Sequence, residues 1–156
     1  MFSNDLVCDI LEYIDDNINN KINIQDICDK FYYNRYYVMK LFKREIGISI
    51  NVYINSLRIY NSIKLIKDSN YSMLMIGLYN GFYSLEYFSE IFKKIIGVSP
   101  LKYKKYSRNR FLLDDKDVNT ILNGMINLKL LIDFKNEYKN NRRPKEAPVR
   151  KLSIFN

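Results

Sequence analysis

The chain has 156 residues and 47% of them are apolar, which suits one compact domain of about a hundred residues with an additional piece. No apolar run approaches the roughly 20 residues of a membrane span, and no basic stretch followed by an apolar one opens the chain, so a cytoplasmic, non-membrane protein is expected. There is no histidine, no CxxC, no phosphate-cradling GxxxxGK loop and no GxSxG, a composition that argues against catalytic residues, a metal site or a cofactor.

The net charge is +8, and it is unevenly placed. Residues 1–101 hold 11 basic and 11 acidic side chains, whereas residues 102–156 hold 14 and 6. Within the first part, residues 1–30 carry seven acids against Lys21 and Lys30, and residues 31–67 carry seven bases against Glu45 alone. An acidic back and a basic front fit a DNA-binding surface.

In chain order, residues 4–19 predict a first helix whose inner side is Leu6, Val7, Ile10, Leu11, Ile14 and Ile18. A short second helix follows the cap Asn23, ends near Lys30 and turns Ile24, Ile27 and Cys28 inward. Cys8 and Cys28 both sit among apolar residues at helical spacing, so two buried free thiols are expected. A third helix starts at Asn34 and stops before Gly47, with Val38, Leu41, Phe42 and Ile46 inside. A long fourth helix follows Ser49 to about residue 67 on Val52, Tyr53, Ile54, Leu57, Ile63, Leu65 and Ile66. Ser72 caps a fifth, with Met73, Ile76 and Gly77 inward, and Gly81 marks a turn that needs positive φ. Ser84 caps a sixth, which runs to Gly97 on Phe88, Ile91, Phe92 and Ile95. Ser99-Pro100 is a cap followed by proline at the first helical position, so a seventh helix covers 101–106.

An internal repeat organises this pattern. Asn34, Tyr37, Val38, Phe42, Lys43, Ile46, Gly47 and Ser49 are matched 50 positions later by Ser84, Tyr87, Phe88, Phe92, Lys93, Ile96, Gly97 and Ser99. Upstream the offset is 49, pairing Ile24, Ile27 and Cys28 with Met73, Ile76 and Gly77. The second copy therefore has one extra residue in its turn. Each copy is a short helix, a tight turn and a longer helix, the layout of a helix-turn-helix. Cys28 and Gly77 are small where two helices must approach closely.

The second copy reads Ile76-Gly77, Gly81-Phe82, Tyr87-Phe88-Ser89, Phe92-Lys93-Lys94, Gly97, Ser99-Pro100 and Tyr103. The first reads Leu41-Phe42-Lys43-Arg44, Gly47 and Tyr53, followed by Leu57-Arg58. In order and spacing this resembles the DNA-binding part of the AraC/XylS family of transcription regulators, over about residues 5–106. The resemblance implies an all-α fold: a seven-helix domain over 1–106 with helix-turn-helix units at about 23–47 and 72–97, joined by a linker helix at about 49–67. Two departures stand out. Gly77 replaces the family's alanine, and Glu90 replaces a usual basic residue, with Glu86 one turn before it on the same helix.

A recognition helix presents its exposed N-terminal positions to base edges. In the third helix these are Arg35, Tyr36, Met39 and Lys40. Lys40 suits guanine O6/N7, and Tyr36 and Met39 suit thymine methyls. In the sixth helix the matching set is Leu85, Glu86, Ser89 and Glu90, whose carboxylates either accept from cytosine N4 or repel phosphates. Phosphate contacts fall to Lys43, Arg44, Lys93 and Lys94, with backbone amides at the starts of the second and fifth helices. Two units on one monomer suit two successive major-groove faces of promoter DNA, about 34 Å apart; a dimer stays open. The resemblance implies activation beside RNA polymerase, and the short stretch of about four residues before the first helix puts small-molecule control in doubt.

Residues 107–156 fall outside the resemblance and read as a basic C-terminal extension. Lys102, Lys104, Lys105, Arg108 and Arg110 form a basic run across the junction. Asp114 or Asp115 caps a helix over about 115–139, with Val118, Ile121, Leu122, Met125, Leu128 and Ile132 at helical spacing, which either docks on the domain or meets a partner. Residues 142–156 read as a mobile basic tail. The alternative reading is an interaction module that binds and inhibits another regulator, with weak or no DNA binding; Glu86, Glu90 and the extra helix favour it.

Overall fold

The computed structural model describes residues 2–141, with side chains over 5–140, and the expected tail lies outside them. The described residues are helical and carry no strand: α1 Phe2–Asn17, α2 Ile24–Phe31, α3 Arg35–Ile46, α4 Ile50–Asp68, α5 Met73–Tyr79, α6 Leu85–Ile96, α7 Pro100–Arg108, a 3-10 turn η1 Arg110–Leu112, and α8 Asp115–Asn141. Among them no helix is long and apolar enough to cross a membrane.

The helices start where short polar side chains can cap them. Asn34 Oδ1 accepts the Tyr37 amide at 2.9 Å, Ser84 Oγ that of Tyr87 at 3.1 Å and Ser99 Oγ that of Lys102 at 3.2 Å. Asn23, Ser49 and Ser72 do the same for α2, α4 and α5, and Asp114 for α8. Each cap satisfies an amide that has no intrahelical partner and contributes about 1 kcal/mol. Gly47 and Gly97 close α3 and α6 at φ 95° and 96°, and Gly81 turns the second unit at φ 87°, the positive values expected of it. At the corresponding turn of the first unit Tyr32 takes φ 60°, a conformation that disfavours a side chain.

The chain forms two compact units: residues up to Ile54 together with those from Lys129 onward, and Asn55–Leu128. In the first, α1 packs on α2 and α3, burying Leu6, Val7, Ile10, Leu11 and Ile14 against Val38, Leu41, Phe42 and Tyr53. Cys28 joins this core, but Cys8 is only half-buried. Its position on α1, one residue past the inner stripe, turns it to the flank, which corrects the expectation of two buried thiols. Neither thiol is in a disulfide. In the second unit Ile59, Ile66, Ile76, Phe82, Phe88, Phe92, Ile96 and Tyr103 form one cluster. Full burial of such side chains stabilises by about 1.5–3 kcal/mol each. Gly77 lies under Phe88: a Cβ there would meet the ring at 3.0–3.2 Å, the close approach its small size suggested.

α8 is a full partner in both cores. Ile121 and Leu128 belong to the cluster of the second unit, and a Cβ at Gly124 would stand 2.7–2.9 Å from the backbone of Ile95 and Ile96. Leu131, Phe134 and Tyr138 are buried in the first unit. There Lys135 and Lys139 both reach Asp15, at 3.2 and 3.0 Å, and the Tyr138 hydroxyl donates to Glu45 at 3.5 Å. Leu122, expected on the inner stripe, is exposed. The real seam runs through 121, 124, 128, 131, 134 and 138, and Leu122 lies off it.

Candidate nucleic-acid interface

α3 has one apolar side and one open side. Because Val38, Leu41, Phe42 and Ile46 hold it down, the residues between them face outward: Arg35, Tyr36, Met39, Lys40, Lys43 and Arg44 are all exposed. Five of these six line a groove of about 360 Å³, joined by Ile24 at the start of α2 and by Ser49, Ile50 and Asn51 at the start of α4. The groove therefore combines three cations with the positive ends of two helices, a setting that favours an anion. Lys40 Nζ sits 5.6 Å from the centre of the Tyr36 ring, which holds the ammonium over an aromatic face.

The sixth residue, Arg44, stands apart. Its Nε donates to Glu45 at 2.9 Å, and it does not line the groove. Conversely, the sequence reading missed the start of α4, which lines the groove where only the second and fifth helices were expected to offer amides. Ser49 as a cap was the available signal.

α6 repeats the geometry with different charges. Leu85, Glu86 and Glu90 are exposed and Ser89 is half-buried, while Lys93 and Lys94 are exposed in the last turn. Among the described residues no cation pairs with Glu86 or Glu90. The outer surface of α6 thus carries acids at its start and bases at its end. α3 and α6 carry the same aromatic pairing at their starts: Tyr33 stacks on Tyr37 with ring centres 5.2 Å apart, and Tyr83 on Tyr87 at 4.7 Å. In the second unit Asn55 Nδ2 donates to Tyr87 Oη at 3.0 Å. Arg58 is buried there with its guanidinium 5.9 Å from the Phe82 ring centre. Burial lowers its pKa, and Tyr87 opposes the shift.

Comparison with known proteins agrees with this arrangement. The helix-turn-helix domain family matches residues 27–106. The melibiose operon regulatory protein of Escherichia coli K12 is 33% identical over 104 residues, 67% of this chain and 34% of its own length. The chain thus spans about a third of that relative. The HTH-type transcriptional activator AarP of Providencia stuartii is 27% identical over 103 residues, 66% of this chain and 76% of its own. In fold, the chain is similar to the DNA-binding domain of AdpA, a global transcriptional factor solved with a target DNA, at a TM-score of 0.63 and 18% identity, covering 69% of this chain and 97% of that one. From the matched residues and the paired helix-turn-helix units, the chain belongs to the AraC/XylS family.

Proposed function

We propose that the protein activates transcription by reading two successive major-groove segments of promoter DNA, one with α3 and one with α6. The observation that carries this reading is the groove on the first unit, where Arg35, Tyr36, Met39, Lys40 and Lys43 converge beside two helix N-termini. In this reading Tyr36, Met39 and Lys40 face bases with Arg35 exposed beside them, and Lys43 and Arg44 hold phosphates. On α6, Leu85, Glu86, Ser89 and Glu90 face bases and Lys93 and Lys94 hold phosphates, so the second half-site contains a cytosine that donates N4–H to a carboxylate. Activation is supported by the relative whose name says transcriptional activator. It brings RNA polymerase as the protein partner and the cytoplasm, at the chromosome, as the place of action. One chain carries both reading helices, so a monomer suffices for an asymmetric site.

The test is selection of bound genomic fragments by the purified protein at near-physiological salt. Two half-sites about one helical turn apart are the expected result. Enrichment of a single half-site removes α6 from base reading. No enrichment overturns the proposal in favour of a module that binds another regulator, the reading that the exposed Glu86 and Glu90 favour.

A further inference from the structure

The end of α7 and the turn η1 carry an ordered surface that DNA reading does not use. Phe111 is 83% exposed and Leu112 62%, side by side in η1. The turn is a built element: Asn109 Oδ1 accepts the Phe111 amide at 3.0 Å, and the Leu113 amide closes back on the Arg110 carbonyl. Two large apolar side chains are therefore held in water by backbone that is itself hydrogen-bonded. On α7, Leu101, Lys105 and Arg108 share one exposed helix face. Among the described residues no carboxylate pairs with Lys105, Arg108 or Arg110. Arg110 rests with its guanidinium 5.3 Å from the Phe111 ring centre. Of the neighbouring acids, Asp114 caps α8, Asp117 pairs with Lys102, and Asp115 is exposed at the start of α8.

We propose that this surface docks an acidic protein segment that carries apolar side chains. The cations call for carboxylates or phosphates. The exposed Phe111 and Leu112 favour the carboxylates, because phosphates pair only the charges, whereas a peptide with aromatic or aliphatic side chains covers the ring and pairs the charges at once. Arginine beside an aromatic anchor is the composition that protein interfaces enrich.

The experiment is fluorescence anisotropy on the full chain with three probes: a labelled peptide alternating Glu with Leu and Phe, the same peptide with Ser in place of Leu and Phe, and a DNA duplex of arbitrary sequence. The Leu/Phe peptide binds about tenfold or more tighter than the Ser peptide, a gap of about 1.4 kcal/mol. Phe111→Ala removes the preference, Phe111→Leu keeps it, and neither changes duplex binding. Arg108→Ser with Arg110→Ser weakens both peptides. Phe111 touches no core, so its variants keep the wild-type helicity and melting point, which is checked alongside. Equal affinity for the two peptides, or a preference that survives Phe111→Ala, overturns the proposal. So does a Phe111→Ala variant that loses duplex and peptide alike, which makes the surface a nucleic-acid contact.

Discussion

Tyr53 is completely buried in the first unit, edge-on to Phe42 with ring centres 5.3 Å apart. Its hydroxyl has no hydrogen-bond partner among the described residues. An unpaired buried hydroxyl loses its water without recompense, a penalty of about 1–3 kcal/mol. Tyr53→Phe keeps the ring contact and removes the orphan, so it stabilises the protein by about 1 kcal/mol in a denaturant titration. A destabilised variant would mean that the hydroxyl is satisfied after all. On the proposed reading surface, Lys40 and Lys43 line one groove yet have different roles. Lys40→Ala changes sequence preference and costs about 1–3 kcal/mol on preferred sites, while Lys43→Ala weakens all duplexes alike and lowers the salt slope by about 1. Identical losses for both on matched and unmatched duplexes would end that division.

At the scale of elements, glycine packing decides the sign of a substitution. Gly124 lies in the middle of α8, where helix propensity alone says that alanine gains about 1 kcal/mol. The structure says the reverse, because the added methyl runs into the backbone of Ile95 and Ile96, which cannot swing aside as a side chain tip would. Gly124→Ala lowers stability by about 1–3 kcal/mol, read as a lower melting temperature; a higher one would show that α8 rides further from α6. The same glycine explains what the sequence hid. Helix starts were legible from Asn34, Ser72, Ser84 and Ser99, since a cap needs a particular side chain at a particular place. The seam of α8 was not, because a periodic search counts apolar side chains and gives no weight to a glycine that touches backbone. It therefore put Leu122 on the inner face and stopped short of Phe134 and Tyr138. In the interface, the cations of α3 were legible by their place in a motif. The start of α4 was missed because an amide at a helix end has no side-chain signature. Nor does sequence show that Arg44 turns to its neighbour Glu45 instead of joining the groove.

For the whole molecule, alkaline pH is the revealing variable. Burial pushes the Tyr103 hydroxyl up to about 12, helped by Tyr106. Burial, with Asp15 adding to it, raises that of Tyr53 well above its ordinary value. Above pH 10 the unfolded chain ionises these tyrosines while the folded chain keeps them neutral, so the unfolded state binds fewer protons and stability falls as pH rises. The contribution is fully present below about pH 10 and, for Tyr103, is lost between about 10 and 12. Each unit of difference is worth about 1.4 kcal/mol. Melting temperatures measured from pH 9 to 12 fall over this window, and Tyr53→Phe blunts the fall. A level profile to pH 12 would show that water reaches both rings.

The division of the chain also has a consequence in time. The second unit is one uninterrupted stretch, Asn55–Leu128, whereas the first needs residues from both ends, up to Ile54 and again from Lys129. A ribosome delivers residues in order, and units fold as their parts emerge. The first helix-turn-helix to be translated is therefore the last to be finished. Its native packing is complete only once the Tyr138, Lys135 and Lys139 of α8, the partners of Glu45 and Asp15, have been made.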